Sequence, residues 1–239
     1  MKKSVLINKN IPDGKGRECI LLLSGGLDSS TLLACLTRRN WIVNALTFNY
    51  GQKHSIEIKL SKKLSKHFSC KRHIIFDLPL NRIVKSALTS PSIKVPAGGT
   101  SKGIPVTYVP ARNLIFLSIA VAWAETTGIK DIFIAVSSVD FSGYPDCREA
   151  FINSFEEVAQ VATKMGVEDQ KIKIHAPLMH LSKRETILMG LEAGLDYFLT
   201  SSCYNPDKKG KPCGKCDACL LRKKGFEESG FKDPRIEKW

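Results

Sequence analysis

Residues 19–33 read CILLLSGGLDSSTLL, two apolar runs separated by a glycine pair, an aspartate and a group of hydroxyls. The run Cys19 to Leu23 is too short for an independent helix and stops at Gly25 and Gly26, so it predicts a buried strand. Beyond the glycines, Leu27, Leu32, Leu33 and Leu36 recur at helical spacing, with Asp28 or Ser29 placed to cap the first turn. The unit is strand, glycine turn, helix. Without side chains at Gly25 and Gly26, an anion can approach the backbone N–H groups at the positive end of that helix. Phosphate fits the description.

Two familiar phosphate motifs are excluded by spelling. The turn lacks the lysine of G-x-x-x-x-G-K-[ST], and it is not G-x-G-x-x-G followed by a ribose-binding acid. A ligand-free turn that merely begins a helix would carry the same glycines; Asp28 argues for a ligand. A carboxylate beside a phosphate is repulsive unless a cation such as Mg²⁺ lies between them. SGGLDS (24–29) resembles the PP-loop of the ATP pyrophosphatases, which cleave ATP to AMP and pyrophosphate. The resemblance implies Mg²⁺ with ATP, bound along Leu23, Ser24, Gly25, Gly26, Leu27, Asp28, Ser29, Ser30, Thr31, Leu32 and Leu33. In that scheme Ser24, Gly25, Gly26 and Ser29 cradle the pyrophosphate portion and Asp28 serves the metal.

At 239 residues, 43% hydrophobic and 25% charged, the chain has the composition of a soluble globular protein with a substantial core. The N-terminus MKKSVLINKNIPDGKG has no apolar signal region, and the longest apolar stretch, Leu114 to Ala124, is eleven residues. A cytoplasmic protein with no membrane partner is expected. The net charge of +13 attracts anions without saying which. Lysines and arginines are scattered rather than gathered with aromatics into a tract, so no direct nucleic-acid partner is expected.

Further along, WIVNALTF (41–48), HIIFDL (73–78), DIFIAV (131–136) and KIKIHAPL (171–178) read as strands. Between them, 55–68, 112–127 and 146–164 read as helices, the second apolar nearly all round and hence buried; residues 86–107 read as an irregular loop or lid. Alternating strands and helices predict an α/β fold, a doubly wound, mostly parallel sheet covered on both faces. Ligands bind such sheets beyond the carboxyl ends of the strands. The strand exits SGGLDS, FNYGQKH (48–54), SSVDFSGYPDCR (137–148) and HAPLMHLSKRE (175–185) are therefore the segments to read for function. In the last of these, Ser182 and Glu185 spell a capping box that sets Lys183 in the first turn of a helix. Lys183 reads either as a solvated helix residue or as a phosphate contact, the latter by its resemblance to a lysine of amidating PP-loop ligases.

Cys203, Cys213, Cys216 and Cys219 follow the spacing C-x9-C-x2-C-x2-C, which suits a closed tetrahedral Zn²⁺ site. An iron–sulfur cluster uses similar spacing, and Gly214 and Lys215 inside the first close pair favour a zinc knuckle. The remaining four, Cys19, Cys35, Cys70 and Cys147, lack partners in sequence and read as small core residues. The chain thus divides into a PP-loop nucleotide-binding domain, 1–200, and a zinc-binding C-terminal extension, 201–239.

SGGLDS, FNYGQKH, YVPARN (108–113), FLSIA (116–120), DFSGYPDCR (140–148), KIKIHAPLMHLSK (171–183) and SCYNPDKKGKPCGKCDACLLRKKGF (202–226) occur in the order seen in the 7-cyano-7-deazaguanine synthases. On these residues the chain resembles that family from about 19 to about 232. The resemblance implies an adenine nucleotide alpha hydrolase-like fold and a homodimer. It also implies an ATP-dependent carbon–nitrogen ligase of queuosine precursor biosynthesis, with ATP, ammonia and 7-carboxy-7-deazaguanine as substrates. Asp28, Lys183, Arg112 and Arg148 are then the candidate catalytic residues, the two arginines offering bidentate pairing to carboxylate or phosphate. Arg112, Asp146 and Arg148 are the candidate substrate contacts, Asp146 toward the guanine-like edge; local helix capping and charge pairing is the rival role for Asp146 and Arg148. Two departures from the family pattern, Ser137 with Ser138 and Ser201 in TSSCY, fall near the expected pocket wall. Two rival readings are a PP-loop enzyme that modifies tRNA directly and a non-catalytic zinc-ribbon module. The full-length α/β pattern argues against the module.

Overall fold

The structure, a computed structural model, describes residues 5–98, 103–137 and 143–235. Five parallel strands, β1 (Glu18–Leu22), β2 (Ile42–Asn49), β3 (Arg72–Asp77), β4 (Asp131–Phe133) and β5 (Lys173–His175), form one sheet in the order β3-β2-β1-β4-β5. The chain runs outward from β1 to one edge, then returns to its other side for β4 and β5. That reversal between β1 and β4 is the switch point at which a doubly wound sheet opens a crevice.

Alternation along β1 sets the two cores. Cys19 and Leu21 face one way, into a cluster with Leu32, Leu33 and Leu36 of α2 (Leu27–Arg38), Leu64 of α3 (Ile56–His67) and Ile187 of α7 (Lys183–Glu192). Ile20 and Leu22 face the other, into a cluster with Phe116 and Leu117 of α4 (Arg112–Thr127) and Ile152 and Phe155 of α5 (Glu149–Ala162). Each of these fully buried aliphatic side chains contributes roughly 2 kcal/mol relative to exposure. The α/β, mostly parallel architecture expected from the alternating pattern is the one formed, with all pairings parallel.

The differences lie in helix packing and in element ends. Helix α4 has the expected bounds but is buried on one side only, with Leu114 45% exposed, because the sheet covers a single face of it. The expected 146–164 helix is broken into a 3-10 turn (Pro145–Cys147), α5, and a short α6 (Lys164–Val167). Extended backbone at Arg148 and Thr163 makes the breaks, and the Asp146 carboxylate accepts the Asn113 N–H (2.9 Å) rather than joining a helix of its own. The strands expected over 131–136 and 171–178 shorten to three residues each, since beyond Phe133 and His175 the chain leaves the sheet for the crevice. Two helices had no expectation, α1 (Val5–Asn10) and α8 (Asp217–Ser229).

Helix α8 fixes the C-terminal segment to the sheet domain. Arg222 is buried and pairs bidentately with buried Asp233 (2.6 and 2.8 Å), while its remaining donors reach Thr200 Oγ1 (2.8 Å) and the Tyr197 carbonyl (3.0 Å). Gly225 brings α8 so near to α7 that a Cβ there would lie 2.5 Å from Lys183 Cγ. Removing one member of a fully desolvated ion pair strands the other charge. Asp233→Ala should therefore lower the unfolding free energy by about 3–5 kcal/mol, read from urea or thermal unfolding. A loss below ~1 kcal/mol would show that the pair is not holding the segment down.

Candidate functional site

The glycine turn sits at the carboxyl end of β1. Gly26 is the N-cap of α2 and no side chain caps it, so the helix starts before Asp28 and Ser29 and neither serves as its cap, contrary to the sequence-based expectation. Their side chains have other partners. Ser29 Oγ accepts from Ser24 N (3.2 Å) and lies 2.9 Å from Ser24 Oγ, while Asp28 Oδ1 accepts from Lys183 Nζ (2.7 Å). The helix dipole favours an anion at this end, where Gly26 N donates to Ser24 Oγ (3.1 Å) and brings no side chain of its own.

Gly25 has φ +85°, and a Cβ on it would lie 2.4 Å from the carbonyl oxygen of Glu57 and 2.9 Å from Ser61 N, both on α3. Only glycine permits that approach. From the other side, Ser201 N donates to Gly25 O (3.1 Å) and Leu27 N donates to Ser202 Oγ (3.2 Å). The turn is thus gripped between α3 and the 200–202 segment.

Above it opens a cavity of about 260 Å³. The carboxyl ends of β1, β2 and β4 form its floor through Leu23, Phe48 and Ile134, with Phe48 stacked on Phe116 at 3.8 Å. Of the sequence-predicted nucleotide stretch, Leu23, Ser24, Gly26, Leu27, Asp28 and Ser29 line it; Ser30, Thr31, Leu32 and Leu33 are buried behind in α2. Asp28, Arg112 and Lys183 line the one cavity, although 155 residues separate the first from the last. The capping box forms as spelled, with Ser182 Oγ accepting from Glu185 N (3.2 Å) and Glu185 Oε2 accepting from Ser182 N (2.9 Å). Ala111, left-handed at φ +56°, turns the chain into α4 at Arg112, whose guanidinium carbon sits 6.0 Å over the Tyr50 ring.

Asp146 and Arg148 do not line the cavity. Asp146 is buried against the start of α4, where its backbone carbonyl also accepts from Asn113 Nδ2 (2.9 Å), and Arg148 is exposed at the N-cap of α5. Ser137 lines the cavity wall and donates to the Leu181 carbonyl (3.4 Å); Ser138 falls outside the described residues. Ser201 is buried against the glycine turn with its Oγ unpartnered.

Lining residues that the sequence did not single out include Glu57, Tyr204 and Arg222. Glu57 belongs to a helix read only as charged, and nothing in its periodicity marks it; its position after FNYGQKH was the available signal. Burial holds its carboxyl up at about 7, against the pull of Arg112. His54, from the same loop, is kept low by burial, which favours its neutral form at pH 7.

Cys203, Cys213, Cys216 and Cys219 bring their sulfur atoms within 4.8 Å of one another. Four thiolates around one ion at Zn–S distances of ~2.3 Å would lie roughly 3.8 Å apart, so the set fits a closed tetrahedral metal site. Cys203 Sγ accepts from the backbone of Cys213 (3.1 Å) and Asn205 (3.3 Å), as a metal thiolate would. The hydrogen bonds of Cys203 and Cys219 hold Cys216 far below the usual thiol range at the N-cap of α8. Cys203 also lines the cavity, so metal knuckle and cavity share a wall. The described part of the 86–107 loop closes over that wall, with Gly98 N donating to Lys215 O (2.6 Å) and Lys53 Nζ to Ile93 O (2.6 Å). Among the described residues no helix is long and apolar enough to cross a membrane.

Comparison with known proteins agrees with this geometry. The family profile described as "Queuosine biosynthesis protein QueC" matches residues 18–230. A curated protein of Frankia casuarinae named 7-cyano-7-deazaguanine synthase is 50% identical over 216 residues, covering 90% of this chain and 92% of that protein. One of Coxiella burnetii with the same name is 49% identical over 218 residues, covering 91% and 96%. Among solved structures, the NMN synthetase of Francisella tularensis shares the fold, with a TM-score of 0.50 at 15% identity over 98% of this chain and 87% of that one.

Loss of one sulfur from the cluster should weaken metal binding and folding together, because the two are coupled. Cys216→Ser is expected to purify with less than half the wild-type metal content and a melting temperature several degrees lower. Unchanged metal content by elemental analysis would remove Cys216 from the site.

Proposed function

Because the chain belongs to the QueC family of queuosine biosynthesis proteins, we propose that its cavity converts 7-carboxy-7-deazaguanine and ammonia to 7-cyano-7-deazaguanine at the expense of ATP. AMP and pyrophosphate are the by-products. The observation that carries this reading is the N-terminus of α2 behind the glycine turn, which lines one cavity of about 260 Å³ together with Arg112 and Lys183. A carboxylate resists attack by ammonia until one oxygen becomes a leaving group, and adenylation supplies one. The first attack yields the amide; adenylation of the amide oxygen and loss of AMP yield the nitrile.

The chain's own residues position and neutralise charge, since no covalent nucleophile is required. The turn at Ser24, Gly25, Gly26 and Ser29 receives the pyrophosphate portion. Arg112, beside the Tyr50 ring, holds the acyl or phosphoryl oxygens through its planar fork. Lys183 has its stem packed under Gly225 and its ammonium on Asp28, from which it can turn to a phosphate. Mg²⁺, bound with ATP, supplies positive charge between the phosphates. Asp28, a carboxylate at the cavity with one oxygen toward Lys183, is the residue that would hold it. Arg148 and Asp146 are kept as candidate substrate contacts from the resemblance, while their described contacts fit positioning of α4 and α5 better.

The metal assigned to the four cysteines is Zn²⁺ in a structural role, since four sulfurs fill its tetrahedron and leave no open position. Residues 1–200 then carry the nucleotide chemistry and 201–239 the zinc. The protein is read as a cytoplasmic homodimer. Support for the dimer comes from apolar side chains left outward on the helices of one sheet face: Leu114, Val158 and Val161, the last 79% exposed.

Two measurements test the reading. Two AMP should appear per nitrile formed, with the primary amide as intermediate, and supplying the amide should halve that yield; ADP as the main product would rule the scheme out. Asp28→Asn should keep the fold and lose about 100-fold in turnover at limiting Mg²⁺. Full activity under those conditions would remove Asp28 from metal binding.

A further inference from the structure

Ammonia presents the proposed reaction with a proton problem. At neutral pH it exists almost entirely as ammonium, which has no lone pair with which to attack. A site that uses it must bind the cation and take a proton, which calls for one group in the cavity able to do both.

Most titratable groups lining the cavity are engaged. Asp28 is bonded to Lys183 (2.7 Å), the Tyr144 hydroxyl lies 2.8 Å from Thr107 Oγ1, and Cys147 accepts from Asn113 Nδ2 (3.3 Å). His54 is closed off instead: its Nε2 is buried without a partner and out of reach of solvent, so ammonium cannot come to it. Glu57 differs: it lines the cavity, and its carboxylate makes no hydrogen bond or ion pair among the described residues. It is also held in place. Its backbone carbonyl abuts Gly25, which sets the start of α3 directly against the glycine turn. Charges that reach it come from Arg112 on α4, and it in turn acts on Tyr50 beyond β2. Its backbone contact with the glycine turn and its electrostatic interaction with Arg112 place Glu57 at the end of the cavity where those two elements meet.

We propose that Glu57 is the catalytic base of the amide-forming step, binding ammonium at the inner end of the cavity and taking one of its protons. The inference rests on the ligase reading above. The Glu57 carboxylate accepts a proton from ammonium, and the ammonia so formed attacks the carbonyl carbon of the acyl adenylate. A C–N bond forms and the C–O bond to AMP breaks, its electron pair leaving with the phosphate. The surplus proton on nitrogen passes to the departing phosphate oxygen. Glu57 then returns its proton to solvent as products leave. A carboxyl held near 7 exchanges that proton readily at neutral pH.

Hydroxylamine separates a base from a structural residue, because it is already unprotonated at neutral pH and needs no deprotonation before attack. With ATP and 7-carboxy-7-deazaguanine, Glu57→Gln is expected to lose about 100-fold or more in kcat/KM for ammonium. It should form the hydroxamate from hydroxylamine at within a few-fold of the wild-type rate, with ATP–pyrophosphate exchange unchanged. Equal loss with both nucleophiles, or loss of exchange together with a raised KM for the acid, would assign Glu57 to substrate or adenylate binding and overturn the proposal. No loss with ammonium would overturn it too. Wild-type protein that releases no AMP with either nucleophile would instead defeat the ligase reading itself.

Discussion

The close approach of Gly25 to the backbone of α3 is the constraint on which the rest of the site depends. A positive φ and a missing side chain let the glycine turn lie against the carbonyl of Glu57, while its own carbonyl takes the N–H of Ser201. Three segments distant in sequence, the first βα unit, the start of α3 and the chain after Thr200, are thereby locked around one point. Any side chain at Gly25 would push two backbones apart and disturb the start of α2. The turn is spelled with glycine for its neighbours as much as for its ligand.

Beside that point one pair of opposite charges is matched within the chain itself. Lys183 is nearly buried, a costly place for an ammonium without a partner, and Asp28 provides one at 2.7 Å. A capping box starts α7 at Lys183, and Gly225 of α8 lets the helix pack over its stem. An incoming anion and cation can split this pair between them with little reorganisation of either side chain, which is what electrostatic preorganisation requires.

The cysteine segment joins the site through shared walls rather than through chemistry. Cys203 borders both the knuckle and the cavity, Ser202 beside it bonds the start of α2, and Lys215 inside the knuckle receives the Gly98 N–H of the overlying loop. Behind it, the Arg222–Asp233 pair anchors α8 to Tyr197 and Thr200. Metal binding at four thiolates would therefore stiffen one wall of the cavity and its cover at once. A local zinc knuckle hung on a flexible tail would have no such reach.

The sequence by itself determined the strand, glycine turn and helix of 19–33, the α/β class, the capping box before Lys183 and the four-cysteine knuckle, because each is written in neighbouring residues with a fixed local geometry. Tertiary structure decided what those pieces face. Asp28 and Ser29 look like caps until Lys183 and Ser24 claim them, and Asp146, read from sequence toward the substrate, also accepts the Asn113 N–H at the start of α4. Glu57 and Arg222 carry no local signature at all; one gains its meaning from the phosphate turn pressed against its carbonyl, the other from a carboxylate eleven residues along that reaches it only once the chain turns back after α8. Local pattern reports backbone geometry, whereas charge, pKa and partnership depend on which groups the folded chain brings within about 3 Å, and no spacing rule encodes that.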